Sequence, residues 1–435
     1  MHQGDEICVV GMGYVGLTLA VTLADIGYRV WGYERQQELV DTLNSGRSPM
    51  FEPGVEDVLR RKIGNGLSFA GVMPQGFRGT VIICVSTPVG ADNTPDLTNL
   101  AAATEHVAQH IEDDAMVVVR STVPVGTSRG VVLPILRRAH PNGVLLASCP
   151  ERTIQGRALE ELRRLPQVVG GLDDASTAAA AKLWGRVTEH VVTVSSLEAA
   201  EMVKLVNNSH TDVIYSFGNE VAMMAHGLGL DPMEVIAAAN LDYPRPDLAR
   251  PGFVGGPCLT KDPYILIDSS SRAGHAAGVI SASRALNESL PAKVAEHFVE
   301  SLRTVVGDLA DAKVLVCGFA YKGHPVTDDT RGAPATQIME VLLRHGLHPL
   351  GHDHLVSGEA IASMGATPVK DLRTGLEGAR GVLFVNEHPG YQNLPVQEVA
   401  AALESPAVLY DCWRMYSAAE AESVPGVHYR GIGFG

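Results

Sequence analysis

Residues 7–34 constrain the fold more than any other stretch. Residues 7–10 (ICVV) form a short apolar run, and Gly11-Met12-Gly13-Tyr14-Val15-Gly16 follows at once. A helix-forming segment, residues 17–26, stops at Gly27, and a second β-type run, residues 29–33, ends in Glu34. Strand, glycine turn, helix and strand in that order build a parallel βαβ unit, which the chirality of the chain closes in one hand. The glycines let a pyrophosphate approach the backbone at the helix N-terminus. An acid about 20 residues further on accepts hydrogen bonds from an adenosine ribose. A glycine pattern alone is a weak signal, but in this setting it predicts a dinucleotide site built from Gly11, Met12, Gly13, Tyr14, Val15, Gly16, Glu34 and Arg35. A carboxylate at Glu34 would repel a 2′-phosphate, so NAD is expected rather than NADP.

The chain has 435 residues, more than one ordinary core accommodates, so two or three domains are expected. Its 46% hydrophobic content and 25 scattered prolines suit a soluble globular protein. A net charge of −15 disfavours binding to nucleic acid or to an anionic membrane. It leaves room for an anionic small substrate held by a local basic cluster. No apolar run approaches the length of about 18 residues that a spanning helix needs. The first residues, MHQGDEI, lack the basic and apolar regions of a signal peptide, and a cytoplasmic location is expected.

Three more apolar runs, residues 80–85, 115–119 and 144–147, end in clusters of hydroxyl or charged residues: Ser86-Thr87-Pro88, RSTVPVGTS and SCPER. In an open parallel sheet, ligands bind at the carboxyl ends of the strands. Ser86, Thr87, Thr122 and Glu151 are therefore expected around one crevice, although Ser and Thr at such places also cap helices.

Of six cysteines, none forms a C-x-x-C pair and no ligand spacing is present, so no metal is predicted. Cys8, Cys84 and Cys317 lie in apolar runs, and Cys149 and Cys412 lie at the ends of such runs. Cys258 differs. It sits in PGFVGGPCLTKDP, after Gly252, Gly255 and Gly256, with Lys261 and Asp262 close behind. A cysteine beside a glycine turn is more often buried than reactive, so its partners decide the matter. Asp262, four residues on, would share a face with it if one helix covered both. Residues 197–228 have helical apolar spacing without proline, which places Glu201, Lys204 and Asn208 on one face. A Lys near a Glu on a helix is usually a solvated pair. Residues 313–317, 350–353, 380–385 and 408–410 repeat the strand pattern of the first part. They predict a second doubly wound α/β unit with degenerate glycines.

The stretches GMGYVG, GRSPMFEPG, STPVGADNTPDL, STVPVGT, PERTIQGRALEEL, EAAEMVKLVNN, GGPCLTKDP and GFAYKG…DDTR resemble, in the same order, those of the nucleotide-sugar 6-dehydrogenases. These are the UDP-glucose/GDP-mannose dehydrogenase family. Arg152 stands where the UDP-glucose branch has phenylalanine. With Gly156 and the VVGG at residues 168–171, it resembles the UDP-N-acetylglucosamine/UDP-N-acetylmannosamine branch.

The resemblance implies an α/β fold: two doubly wound Rossmann-like domains joined by a long central helix and a helical middle domain. The expected bounds are 1–196 for an NAD-binding domain, 197–303 for a middle domain with the catalytic loop and dimer interface, and 304–435 for a UDP-sugar domain. It implies a four-electron oxidation of the C6 alcohol of a UDP-sugar, most closely a UDP-N-acetylhexosamine, through a covalent adduct of Cys258, with two NADH released. In that scheme Lys204 and Asn208 face the reacting carbon. Asp262 positions water or accepts a proton, Glu151 is a general base for hydrolysis, and Thr122 orders the water. Glu151, Arg152, Lys204, Asn208, Arg245, Gly255, Lys322 and, less directly, Arg414 contact the substrate, and Arg331 contacts NAD. A homodimer is implied.

The chain departs from the pattern at His210-Thr211-Asp212, at Pro257, and in a glycine loop one residue shorter than usual. These changes leave the sugar open. UDP-glucose oxidation by the same mechanism is one alternative. A single-oxidation dehydrogenase of the hydroxyacid type and a ligand-responsive binding protein are others.

Overall fold

A computed structural model describes residues 6–141, 143–244, 247–310 and 312–435. The chain forms two compact units, Met1–Asn208 with Lys261–Ala277, and Ser209–Thr260 with Gly278–Gly435.

Among the described residues, the first unit holds an eight-stranded sheet. Its strands are β1 (Glu6–Val10), β2 (Arg29–Tyr33), β3 (Leu67–Ala70), β4 (Thr80–Ile83), β5 (Met116–Val119), β6 (Leu145–Ser148), β7 (Gln167–Gly171) and β8 (Val191–Val194). They lie in the order β3-β2-β1-β4-β5-β6-β7-β8, and every pairing is parallel except β6 with β7. A parallel sheet is covered on both faces, which explains the unbroken apolar runs of β1, β4 and β5. Ile7, Val9 and Ile82 fill one core, and Cys8, Val10, Val81 and Ile83 fill another. Strand order reverses between β1 and β4, and the crevice at their carboxyl ends is where such a sheet takes a ligand.

The second unit repeats the design. Its strands are β9 (Val314–Cys317), β10 (Leu350–His352), β11 (Thr367–Pro368), β12 (Gly381–Phe384), β13 (Ala407–Asp411) and β14 (Val427–Gly431), in the order β11-β10-β9-β12-β13-β14. The repeat extends to the loops. Gly11 after β1 and Gly318 after β9 both take positive φ, +91° and +98°. In each unit the acid that follows the second strand ties that loop down. Met12 N donates to Glu34 Oε2 at 2.9 Å, and Phe319 N donates to Asp353 Oδ2 at 2.7 Å.

The predicted long helix spans Leu197–Gly227. The condition for Cys258 and Asp262 to share a face is not met. Cys258 lies in a short helical turn, Gly256–Leu259, whereas Asp262 opens a separate helix, Asp262–Arg272. No single helix face carries both, because Thr260 and Lys261 cap the two segments and break the register. β3, β7, β8, β11 and β14 were not expected. They are short, and several mix polar residues or glycine with few apolar ones. No helix among the described residues is long and apolar enough to cross a membrane.

Candidate active site

In the first unit, the turn between β1 and the helix Tyr14–Asp25 is tight. A Cβ on Gly16 would lie 1.8 Å from Gly11 O, whereas a Cβ on Gly13 would meet nothing within 4 Å. Gly16, in the first turn of the helix, lets the helix close on Gly11, and Gly13, at the helix N-cap, leaves open space before the helix N-terminus. Gly11, Gly13, Glu34, Arg35, Ser86 and His106 are among the residues lining a cavity of about 310 Å³ there. Tyr33 stacks on His106 along its wall, with ring centroids 4.4 Å apart. Glu34 is fixed at the mouth, accepting from Met12 N and from Gln36 N at 3.1 Å. An open helix N-terminus, an anchored acid and a neighbouring ring suit the phosphates, ribose and base of a dinucleotide. The side chains of Met12, Tyr14 and Val15 face elsewhere: Met12 is buried, Val15 packs on the core, and Tyr14 Oη donates to Glu52 Oε2 at 2.5 Å.

The next strand ends converge. Thr87 Oγ1 donates to Thr122 O at 2.5 Å, and Lys261 Nζ donates to Thr87 O and Oγ1 at 3.2 and 3.3 Å. Lys261 therefore belongs to this crevice. Its membership was missed because the pairing spans 174 residues of chain.

Glu151 is buried and fully engaged. Its Oε2 accepts from Arg120 Nε and Nη2, and its Oε1 accepts from Arg152 N and Thr153 N, each at 2.7 Å. Burial pushes its pKa upward, but Arg120, the Thr153 amide and Lys204 outweigh it and hold the carboxyl below its ordinary range. Four donor contacts therefore hold the carboxylate in place. Arg120 is itself 1% exposed and stacks over Trp184 at 4.5 Å.

Along helix Leu197–Gly227, Glu201 is not a solvated partner of Lys204. It is buried and accepts from Gly126 N at 2.6 Å and Ser128 N at 2.8 Å, fastening the loop after β5. Lys204 is 6% exposed. One turn on, Asn208 Nδ2 donates to Asp262 Oδ2 at 2.6 Å. Asp262 is fully buried; its Oδ1 accepts no hydrogen bond among the described residues and faces Lys261 Nζ at 3.6 Å.

In the second unit, Cys258 is exposed, whereas Cys8, Cys84, Cys149, Cys317 and Cys412 are buried. Burial pushes the Cys8, Cys84 and Cys149 thiols up to about 12. The glycines before Cys258 have no room for a side chain: a Cβ on Gly255 would lie 2.6 Å from Gly332 O, and one on Gly256 would lie 2.6 Å from the Tyr321 ring. Lys322 Nζ lies 5.5 Å from that ring. Arg331 pairs with Asp329 at 2.6 Å. Its pKa is raised, first by that hydrogen bond and further by the charge of Asp329, against the opposing effect of burial.

Arg414 makes a two-pronged pair with Asp231 at 3.1 and 2.9 Å. It also lines a cavity of about 390 Å³ with Tyr215, Arg250, Glu387 and Trp413. Arg245 lies outside the described residues. Among the described residues, no group of three or more His, Cys, Asp or Glu could hold a metal ion.

Three family models match in succession: the NAD binding domain of the UDP-glucose/GDP-mannose dehydrogenase family over residues 5–188, its central domain over 198–289 and its UDP binding domain over 315–418. The UDP-N-acetyl-D-mannosamine dehydrogenase of Pyrococcus horikoshii is 32% identical over 440 residues, covering 99% of each chain. The UDP-glucose 6-dehydrogenase of Pseudomonas aeruginosa is 32% identical over 452 residues, covering 98% of this chain and 97% of its own. A solved structure of the UDP-D-ManNAc dehydrogenase from Pyrococcus horikoshii superposes with a TM-score of 0.87 at 31% identity, covering 98% of this chain and 99% of that one. With its glycine turn, its anchored acid and its second nucleotide-type sheet, this chain belongs to the UDP-glucose/GDP-mannose dehydrogenase family of NAD-dependent oxidoreductases.

Proposed function

We propose that this chain oxidises the C6 primary alcohol of a UDP-N-acetylhexosamine to the uronic acid, reducing two NAD per sugar. The observation that carries the reading is the exposure of Cys258 alone among six cysteines, on a turn packed too tightly for side chains at Gly255 and Gly256. Arg152, within SCPER, and the full-length similarity to UDP-N-acetyl-D-mannosamine dehydrogenases support the choice of sugar. The three-part division at residues 1–196, 197–303 and 304–435 is part of the same proposal.

Bound NAD supplies the hydride acceptor for both oxidations. The backbone of residues 11–16, Glu34, Arg35, Ser86, Thr87 and Thr122 would hold it, with Arg331 as a further contact. After the first oxidation, Cys258 Sγ adds to the aldehyde carbon and the carbonyl oxygen takes up a proton, forming a thiohemiacetal. Loss of a second hydride and a proton leaves a thioester. Water adds to it, the thiol departs and the acid is released. Covalent capture divides a four-electron oxidation into smaller steps and retains the aldehyde. Lys204 and Asn208 stabilise the developing oxyanion, each worth on the order of 3 kcal/mol. Asp262 has an oxygen without a hydrogen-bond donor and accepts the proton from the alcohol or from water. Thr122 orders that water. Glu151 holds Arg120 and the Arg152–Thr153 backbone in place, a positioning role that suits its four acceptor bonds.

Gly255, Lys322 and the cavity beside Arg414 take the nucleotide-sugar, with Arg152 and Arg245 as further contacts. The protein works as a cytoplasmic homodimer. The exposed apolar residues Phe217, Met224, Leu228 and Leu230 support the dimer.

UDP-glucose is the second reading, favoured by the equal identity to the Pseudomonas aeruginosa enzyme. An NADH assay over UDP-N-acetylmannosamine, UDP-N-acetylglucosamine, UDP-N-acetylgalactosamine, UDP-glucose and GDP-mannose separates the two. Two NADH per sugar are expected, and one would overturn the four-electron scheme. Cys258→Ser should lose acid formation while NAD still binds; unchanged acid production would rule out the covalent step.

A further inference from the structure

The loop that carries Cys258 is held at both ends by one buried polar network inside the second unit. At its start, Asn219 pairs with the Gly252 backbone in both directions: Nδ2 donates to Gly252 O at 2.9 Å, and Oδ1 accepts from Gly252 N at 2.8 Å. At its end, Arg284 Nη1 donates to Leu259 O at 3.1 Å, one residue past the thiol. The two anchors are joined. Arg284 forms an ion pair with Asp212. Asn287 Nδ2 donates to Asp212 O at 3.0 Å and Oδ1 at 2.9 Å, and its Oδ1 accepts from Asn219 Nδ2 at 3.0 Å. Asp212 and Asn219 are fully buried, Arg284 is 1% exposed and Asn287 2%.

Stability alone is a weak account of this network. A buried ion pair can often be replaced by apolar side chains without loss, because desolvation offsets its attraction. The side chains come from two long helices, Leu197–Gly227 and Gly278–Val306, and within residues 252–259 they bond only to backbone groups. Between the anchors the backbone is also wedged: a Cβ on Gly252 would lie 2.4 Å from the Trp413 ring, and Gly256 N donates to Gly332 O at 3.2 Å. The loop is fixed at Gly252, Gly256 and Leu259, yet the thiol between the last two is exposed.

We propose that Asn219, Asp212, Asn287 and Arg284 form a clamp that sets the position of Cys258 for attack. They are positioning residues, acting through the loop backbone without touching substrate. The inference rests on Cys258 being the nucleophile. A reacting group misplaced by about 1 Å loses on the order of a hundredfold in rate, so a loop of this kind needs both ends held.

The test uses the full-length enzyme with Asn219→Ala, which removes the Gly252 anchor, and Asn219→Asp, which keeps the acceptor for Gly252 N but loses the donor. Alkylation of Cys258 by iodoacetamide, located by mass spectrometry, reads the loop directly, since the other five cysteines are buried. With Asn219→Ala, the alkylation rate should change by about threefold or more and kcat should fall by about tenfold or more, with KM for NAD within about twofold of the parent. Asn219→Asp should fall between the two, and it carries the comparison alone if Asn219→Ala does not fold. An unchanged alkylation rate, with activity falling only as the folded fraction falls, would overturn the clamp. Acid formation by Cys258→Ser would instead overturn the nucleophile reading. The alkylation comparison would stand apart from that result, so the two failures are distinguishable.

Discussion

Asn208 donates through Nδ2 to Asp262 Oδ2 across 2.6 Å, tying the helix Leu197–Gly227 to the first turn of the helix Asp262–Arg272. The bond joins two residues that the proposed chemistry uses separately, the oxyanion donor and the proton acceptor. It also gives one oxygen of a fully buried carboxylate a donor, leaving Oδ1 without one among the described residues.

Replacing Asn208 with Asp sets two carboxylates against each other at that separation, and one of them must take up a proton. Asn208→Asp should therefore lose at least about tenfold in kcat and show a new ionisation in its pH profile. Asn208→Ala should cost about 1–3 kcal/mol of stability in the first unit, because Asp262 loses its donor. Denaturant midpoints and a pH–rate series check both. A parent-like profile for Asn208→Asp would contradict the pairing.

Gly16→Ala should disable the cofactor turn. The added Cβ would fall 1.8 Å from Gly11 O, a backbone atom that cannot move aside cheaply. KM for NAD should rise by about tenfold or more, whereas UDP binding, measured by calorimetry, should stay close to the parent.

Glu151→Gln keeps acceptors for Arg152 N and Thr153 N but leaves Arg120 without its counter-charge. Removing one partner of a buried pair costs about 3–5 kcal/mol, and the denaturation midpoint of the first unit should fall accordingly. The fold lowers the Glu151 pKa below its ordinary 4.5. Its contribution to stability is therefore present above that value and is lost as pH falls through the lower folded one. The kcat profile of the parent between about pH 5 and 9 should show no ionisation belonging to Glu151. An acidic limb in that range that vanishes in Glu151→Gln would restore the general-base role.

The second unit should weaken in acid through a histidine cluster. His354 stacks on His388 with centroids 4.5 Å apart, and His352 meets His354 edge-on at 5.0 Å. Burial lowers the pKa of all three, neighbouring rings add to it at His352 and His388, and His352 falls to about 4 from an ordinary 6.5. Asp353 and Asp371 oppose the shift at His352 without cancelling it. A lowered histidine pKa means that the unfolded chain takes up protons first. Stability is therefore full above about 6.5 and declines as pH falls toward about 4. Thermal midpoints measured across that window should fall in the parent and fall less in His354→Asn.

Local pattern made much of this protein legible. Periodicity and glycine punctuation located β1, β2 and the helix between them, the central helix and the second α/β unit, because strand and helix periods are written residue by residue. Cys258 stood out for the same reason: its glycines and charges are neighbours in the chain. Tertiary structure decided which partners these groups have. Glu151 is held by Arg120, 31 residues away. Glu201 left its expected solvated pairing for amides more than 70 residues away, and Arg414 found Asp231 across 183. It also split the segment after the glycines, so that Cys258 and Asp262 occupy different helices. Chain order determines which side chains recur on one face. Strand order and the burial it imposes determine which charge meets which, and so how each carboxylate and thiol behaves.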